Sequence, residues 1–183
     1  GYVNGVAARG TQSFVAGQIG WNADGTGDTD DMVEQTRQAL LNVVTLLAEA
    51  RATPGVTEAT PLIEQPLMGS TQGRVEAVEA RGMTMRDLLG PKFAGNVVQG
   101  DIRELAPGSG NVAIGSQLAV ALGVGVGGQI SLISPDGETT PFGTVPRIVS
   151  YKVAAIFELG VYEYDNTFVV MPMADAQTLL NLG

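Results

Sequence analysis

Two alternating apolar runs, Gln129-Ile-Ser-Leu-Ile-Ser134 and Ile148 to Phe157, flank a thirteen-residue connection with prolines at 135, 141 and 146. Alternation with a period of two marks a strand with one buried face. Two such strands in succession form a hairpin, so this stretch commits its surroundings to a sheet. The connection exceeds the roughly two to five residues usual in hairpins, and connections of that length are functional or disordered. Disorder fits poorly, because each proline fixes its φ and removes freedom from the unfolded chain. Asp136-Gly137 supplies one turn and Pro141-Phe142-Gly143 a second, with Phe142 at the apex. A Phe ring left in water forgoes roughly 1.5–3 kcal/mol of burial. Either the arm presents that ring to a partner, or it folds back and buries Phe142 on its own sheet. The residues alone leave both open.

The rest of the chain is punctuated in the same way. Twenty-five glycines and nine prolines without a fixed period call for many turns and short strands. A short strand is expected in Thr11–Ile19, followed by the acidic spacer Asn22–Asp30. A long helix then runs from about Asp31 to Ala52. Val33, Leu40, Val43, Val44 and Leu47 recur at helical spacing, one face is expected to pack on a sheet, and Pro54-Gly55 ends the helix. Strands are predicted over Thr57–Glu64 and Arg74–Ala80 with a turn at Gly69–Gly73, then a short helix over Thr84–Leu89. Asn96–Leu105 reads as irregular strand and turn. Asn111–Gly115 is a strand feeding the helix Ser116–Leu122, which Gly123 ends. Thr167–Met171 is a strand feeding the helix Met173–Leu180.

Several chemistries are excluded. The net charge of −9 and the lack of a basic run argue against a nucleic-acid surface. With neither Cys nor His, the chain lacks imidazole and thiolate chemistry and nitrogen or sulfur metal sites. The acidic spacer lacks the ordered ligand spacing of a calcium loop and reads as a solvated linker. Gly123-Val-Gly-Val-Gly-Gly128 follows no strand and precedes no Lys-Ser/Thr, so it reads as a helix cap and turn rather than a phosphate loop. Glu158, Glu163 and Asp165 are the one carboxylate cluster an acid–base enzyme would use, and such clusters are usually solvated faces. No cofactor is expected. No stretch approaches the ~18 apolar residues of a membrane span. The chain opens on Gly-Tyr-Val without an initiator Met and is expected to be a piece of a longer protein.

The run Asn111–Val124, the block Gly128–Pro135 with Thr140-Pro-Phe-Gly-Thr-Val-Pro-Arg147, and Tyr151–Gly160, Tyr164–Pro172 and Ala174–Gln177 resemble the periplasmic domain of the LolC/LolE family. Pro54–Met68 and Ala80–Gly82 extend the resemblance, which covers about residues 30–183. Family members are permeases of the lipoprotein-releasing ABC transporter of the bacterial inner membrane. The resemblance implies an α+β fold of the MacB-like kind: an α/β porter subdomain with an inserted β-rich sabre subdomain and a protruding β-hairpin arm. Residues 1–68 would be the porter's first half (strand, long helix, strand), 69–165 the sabre, and 166–183 a strand and helix returning to the porter.

The resemblance also makes the arm, Pro135 to Pro146, a hook for the periplasmic lipoprotein chaperone LolA. Pro135, Thr140, Pro141, Phe142, Gly143, Thr144, Val145 and Pro146 are its candidate residues. The family's basic pad beside the hook falls on Ser131, Ile148 and Val149, leaving Arg147 as the basic candidate. Further implied partners are a LolD-like ATPase, where ATP hydrolysis would reside, a second permease subunit or a second copy, the lipoprotein cargo, and the membrane through spans outside this chain. The Met171–Gln177 tail is closer to the LolE pattern and the Thr-Pro-Phe-Gly tip to LolC, which suggests a form combining both roles. The alternative is a MacB-like or cell-division-type permease domain with no chaperone contact.

Overall fold

The computed structural model describes residues 32–56, 58–140 and 143–180. Residues 1–61 and 62–183 form two compact units. The first contains α1, Met32–Ala52, with Glu34 in its first turn and Arg51 in its last, each sign complementing the helix dipole. Val43, Leu46, Leu47 and Ala50 are half-buried, while Val44, expected on the same stripe, is 62% exposed. The Arg51 guanidinium donates to the Ala59 carbonyl from two nitrogens, at 2.9 and 3.1 Å, tying the helix end to the segment that follows. Residues 11–19, expected to hold a strand, lie outside the described residues.

The second unit is a mixed α/β fold. Its elements are β1 (Ile63–Thr71), β2 (Arg74–Met83), α2 (Met85–Leu88), α3 (Pro91–Ala94), β3 (Val97–Gly100), a 3-10 turn (Ile102–Glu104), β4 (Asn111–Gly115), α4 (Ser116–Leu122), β5 (Gln129–Thr140), β6 (Gly143–Phe157), α5 (Tyr162–Thr167), β7 (Phe168–Pro172) and α6 (Met173–Leu179). The strand expected at Thr57–Glu64 is displaced to Ile63–Thr71. Pro61 lacks a ladder N–H and biases the residue before it, and the ladder that forms instead pairs Ile63–Thr71 with Arg74–Gly82 around a turn at Gln72-Gly73. Pro66 is tolerated inside β1 because β5 pairs only with Met68–Ser70, leaving β1 an edge at that point.

The strand order is β3-β6-β4-β7-β2-β1-β5, and β5 also pairs with β6, so six strands close into a ring with β3 added outside. The fifteen residues of β6 make this closure. Its first part, to Lys152, pairs antiparallel with β5, while its last residues pair parallel with β4 and antiparallel with β3. β2 and β7 are also parallel. Met68 is within the β1 ladder, and β7 is an inner strand between β4 and β2.

Alternation divides the core in two. Val112, Ile114, Val153, Val169 and Met171 face one cluster with Leu118 and Leu122 of α4 and Leu179 of α6. Ala113, Phe157, Phe168 and Val170 face the other, with Leu88, Phe93, Ile102 and Leu105. All five residues of β7 are therefore buried, which is why its sequence is a continuous apolar run. Gly123 ends α4 with φ +66°, a left-handed C-cap that a Cβ would disfavour.

Candidate partner-binding hairpin

The candidate site is the far end of β5 and β6. Gln129–Ser134 pairs with Arg147–Lys152, and at this root the Ser131 and Ser150 hydroxyls lie 3.0 Å apart in a cross-strand hydrogen bond. Beyond Ser134 the register shifts. Pro135, Asp136 and Gly137 oppose Pro146 alone, and the ladder resumes at Glu138 with Val145 and runs to Thr140 with Gly143. Two prolines without N–H groups face each other here, so the ladder can only bulge.

This corrects the expected thirteen-residue loop. Paired strand continues through most of it, and the connection shrinks to residues 141–142. Beyond the root, among the described residues, the two strands pair only with each other.

Pro141 and Phe142 lie outside the described residues. Pro135, Thr140, Gly143, Thr144 and Val145 stand in the paired strands, and the description of their side chains likewise falls outside. Pro146 is exposed and Arg147 half-buried. By strand alternation Arg147 shares the face of Val149 and Tyr151. Burial, and then the Asp175 carboxylate, hold the Tyr151 hydroxyl above its ordinary range, while the Arg147 guanidinium opposes them. Arg147 thus turns toward the first core cluster, and the outward face beside the hairpin carries Ser131, Ile133, Ile148 and Ser150.

The carboxylate cluster does not assemble a catalytic pair. Asp165 is 3% exposed and accepts from the backbone N–H groups of Leu159 (2.7 Å) and Gly160 (3.1 Å), whereas Glu158 and Glu163 are exposed. Among the described residues, no three acidic side chains are grouped to hold a metal, and no helix is long and apolar enough to cross a membrane.

These features define a mixed α/β domain that offers a hairpin and a sheet face. No protein-family model matches the chain. It is 30% identical over 129 residues to the lipoprotein-releasing system transmembrane protein LolC of Neisseria meningitidis serogroup B (strain MC58), covering 70% of this chain and 31% of that protein. It is also 30% identical over 136 residues to LolC of Xylella fastidiosa (strain Temecula1), covering 74% of this chain and 33% of the relative. Among solved structures, the extracellular domain of the noncanonic ABC-type transporter YknZ from Gram-positive bacteria superposes with a TM-score of 0.46 at 10% identity, covering 72% of this chain and 63% of that one. The chain is thus homologous to LolC proteins over about 70% of its own length, and it spans about a third of the length of the curated relatives it matches.

Proposed function

We propose that this chain is the periplasmic domain of an inner-membrane ABC-transporter permease that releases lipoproteins and passes them to a LolA-like chaperone. The observation that carries the reading is the identity shared with LolC proteins over 70–74% of the chain, a span that includes most of unit 62–183. In this reading the β5–β6 hairpin is the hook, with Phe142 as its anchor and Pro141 and Gly143 shaping the tip. The paired strands support it, because a ladder presents a tip at lower ordering cost than a free loop would. The porter and sabre division of the family belongs to the same reading, with residues 1–68 and 166–183 in the porter and 69–165 in the sabre. ATP hydrolysis lies in a LolD-like partner, a second permease subunit or a second copy completes the transporter, and spans outside this chain hold the domain on the periplasmic side of the membrane.

The test is a pull-down of the 183-residue chain with a LolA-like chaperone. Phe142→Ala is expected to weaken capture at least about tenfold, the loss of a buried aromatic anchor. Capture that survives truncation of the ring unchanged would sink the hook.

A further inference from the structure

Polar side chains turn inward at the root of the hairpin and at the start of α6, and two of them keep a buried atom without a partner. Ser134 is 1% exposed, and its Oγ makes no hydrogen bond among the described residues. Asp175, in the first turn of α6, is 9% exposed. Its Oδ1 accepts from the Gly108 N–H at 2.7 Å, while its buried Oδ2 accepts from no described residue. Arg147 is the ladder partner of Ser134 in the last rung before the bulge, so the two side chains share the inward face with Cβ atoms roughly 4.5–5.5 Å apart. The charges of Arg147 and Asp175 meet at Tyr151, which is 7% exposed: the carboxylate disfavours loss of its hydroxyl proton and the guanidinium favours it. Among the described residues Arg147 makes no ion pair or hydrogen bond. Buried polar atoms are nearly always paired. A guanidinium and a carboxylate oxygen that both lack a partner, and both act on one hydroxyl, are an unfinished contact.

We propose that Arg147 and Asp175 are the two halves of an internal latch: the guanidinium closes on Asp175 Oδ2 and, in closing, ties the root of the hairpin to α6. The bulge supplies the hinge. Pro135, Asp136 and Gly137 oppose Pro146 alone, so the chain next to Arg147 has no regular ladder to resist a change of direction. α6 supplies the fixed end, because Gly82 of β2 leaves the room that Ala176 occupies. Closed, the latch gives a buried carboxylate oxygen a charge-assisted partner. Open, which is the arrangement described above, it leaves the exit direction of the hairpin to the bulge. A pull on Arg147 is felt at that hinge, so the state of the latch sets how the hairpin leaves the ring. The device is intramolecular and turns Arg147 inward, and it stands whatever the hairpin binds.

The experiment is a double-mutant cycle on the 183-residue chain, with Arg147→Gln and Asp175→Asn made singly and together. Asn keeps the acceptor that Gly108 uses, so the cycle isolates Oδ2. In urea unfolding the two changes are expected to be coupled by at least about fivefold in the unfolding constant, the double variant losing less than the product of the single losses. Losses that multiply to within about twofold overturn the latch. Hydrogen exchange reads the hinge directly and needs only Arg147 variants. In Arg147→Gln, amides of Glu138–Thr140 and Gly143–Val145 are expected to exchange at least about threefold faster than in wild type, and in Arg147→Lys, which keeps the charge, within about twofold of it. Exchange in Arg147→Gln at the wild-type rate overturns the link to the hairpin. A Lys variant that exchanges as fast as the Gln variant overturns the ionic latch.

Discussion

Replacing Asp165 with Ala asks whether its buried carboxylate is architecture or chemistry. The side chain is 3% exposed in the first turn of α5, and its two oxygens accept from Leu159 N–H at 2.7 Å and Gly160 N–H at 3.1 Å. It thereby fastens the turn that leads out of β6. Both bonds are charge-assisted, a class contributing about 1.5–3 kcal/mol each when shielded. Leu159 is half-buried, so its N–H loses most of that on truncation, whereas exposed Gly160 can turn to water and loses less. The sum is about 2–4 kcal/mol, which at about 3–5 °C per kcal/mol for a unit of this size lowers Tm by roughly 6–20 °C. Differential scanning calorimetry against Glu163→Ala, an exposed neighbour expected to stay within about 0.5 kcal/mol, isolates the effect. An Asp165→Ala protein within about 1 kcal/mol of wild type would refute the assignment of this carboxylate to loop anchoring.

Two further outcomes follow from packing and charge. A Cβ added at Gly82 would stand 2.5 Å from the Ala176 Cβ and 3.3 Å from the Met173 Cα, so Gly82→Ala is expected to push α6 off β2 and cost about 1–3 kcal/mol in urea unfolding; an unchanged midpoint would show that the helix yields freely. Burial, then repulsion from the Glu64 carboxylate, hold the Glu79 carboxyl above its ordinary range, with Arg81 opposing. A carboxyl raised on folding binds more protons folded than unfolded, so its contribution is most favourable in acid and is lost as pH rises from about 4.5 through the raised value. Glu79→Gln is therefore expected to raise Tm at pH 7, not at pH 4, in melts run across that range, and an equal shift at both pH values would remove charge as the cause.

Short-range signals carried the parts of the fold that were legible. The strand Asn111–Gly115, the helix Ser116–Leu122 and the left-handed cap at Gly123 lie where the residues place them, because strand alternation, helical spacing and a C-terminal glycine all act within a few positions. The helix Met32–Ala52 starts one residue after its expected beginning and stops at Pro54-Gly55 as expected. What was not legible depends on partners far along the chain. Three prolines between Ser134 and Ile148 read as a loop, yet the bulge absorbs two of them and the ladder continues. Asp165 read as one of a solvated group, although neighbouring N–H groups draw it inside. The pairing of Met68 with Ala77 on one side and Ile133 on the other has no sequence signature, since it exists only once both registers are set.

The closure of the ring by β6 has a mechanical consequence. A single strand runs from the hairpin into the ladders of β4 and β3, so a pull on the hairpin along its axis loads those ladders lengthwise. Hydrogen bonds strained that way must give together rather than one at a time, as they would if the strand were peeled sideways. Traction at the tip would reach the interior of the domain before the strand slipped.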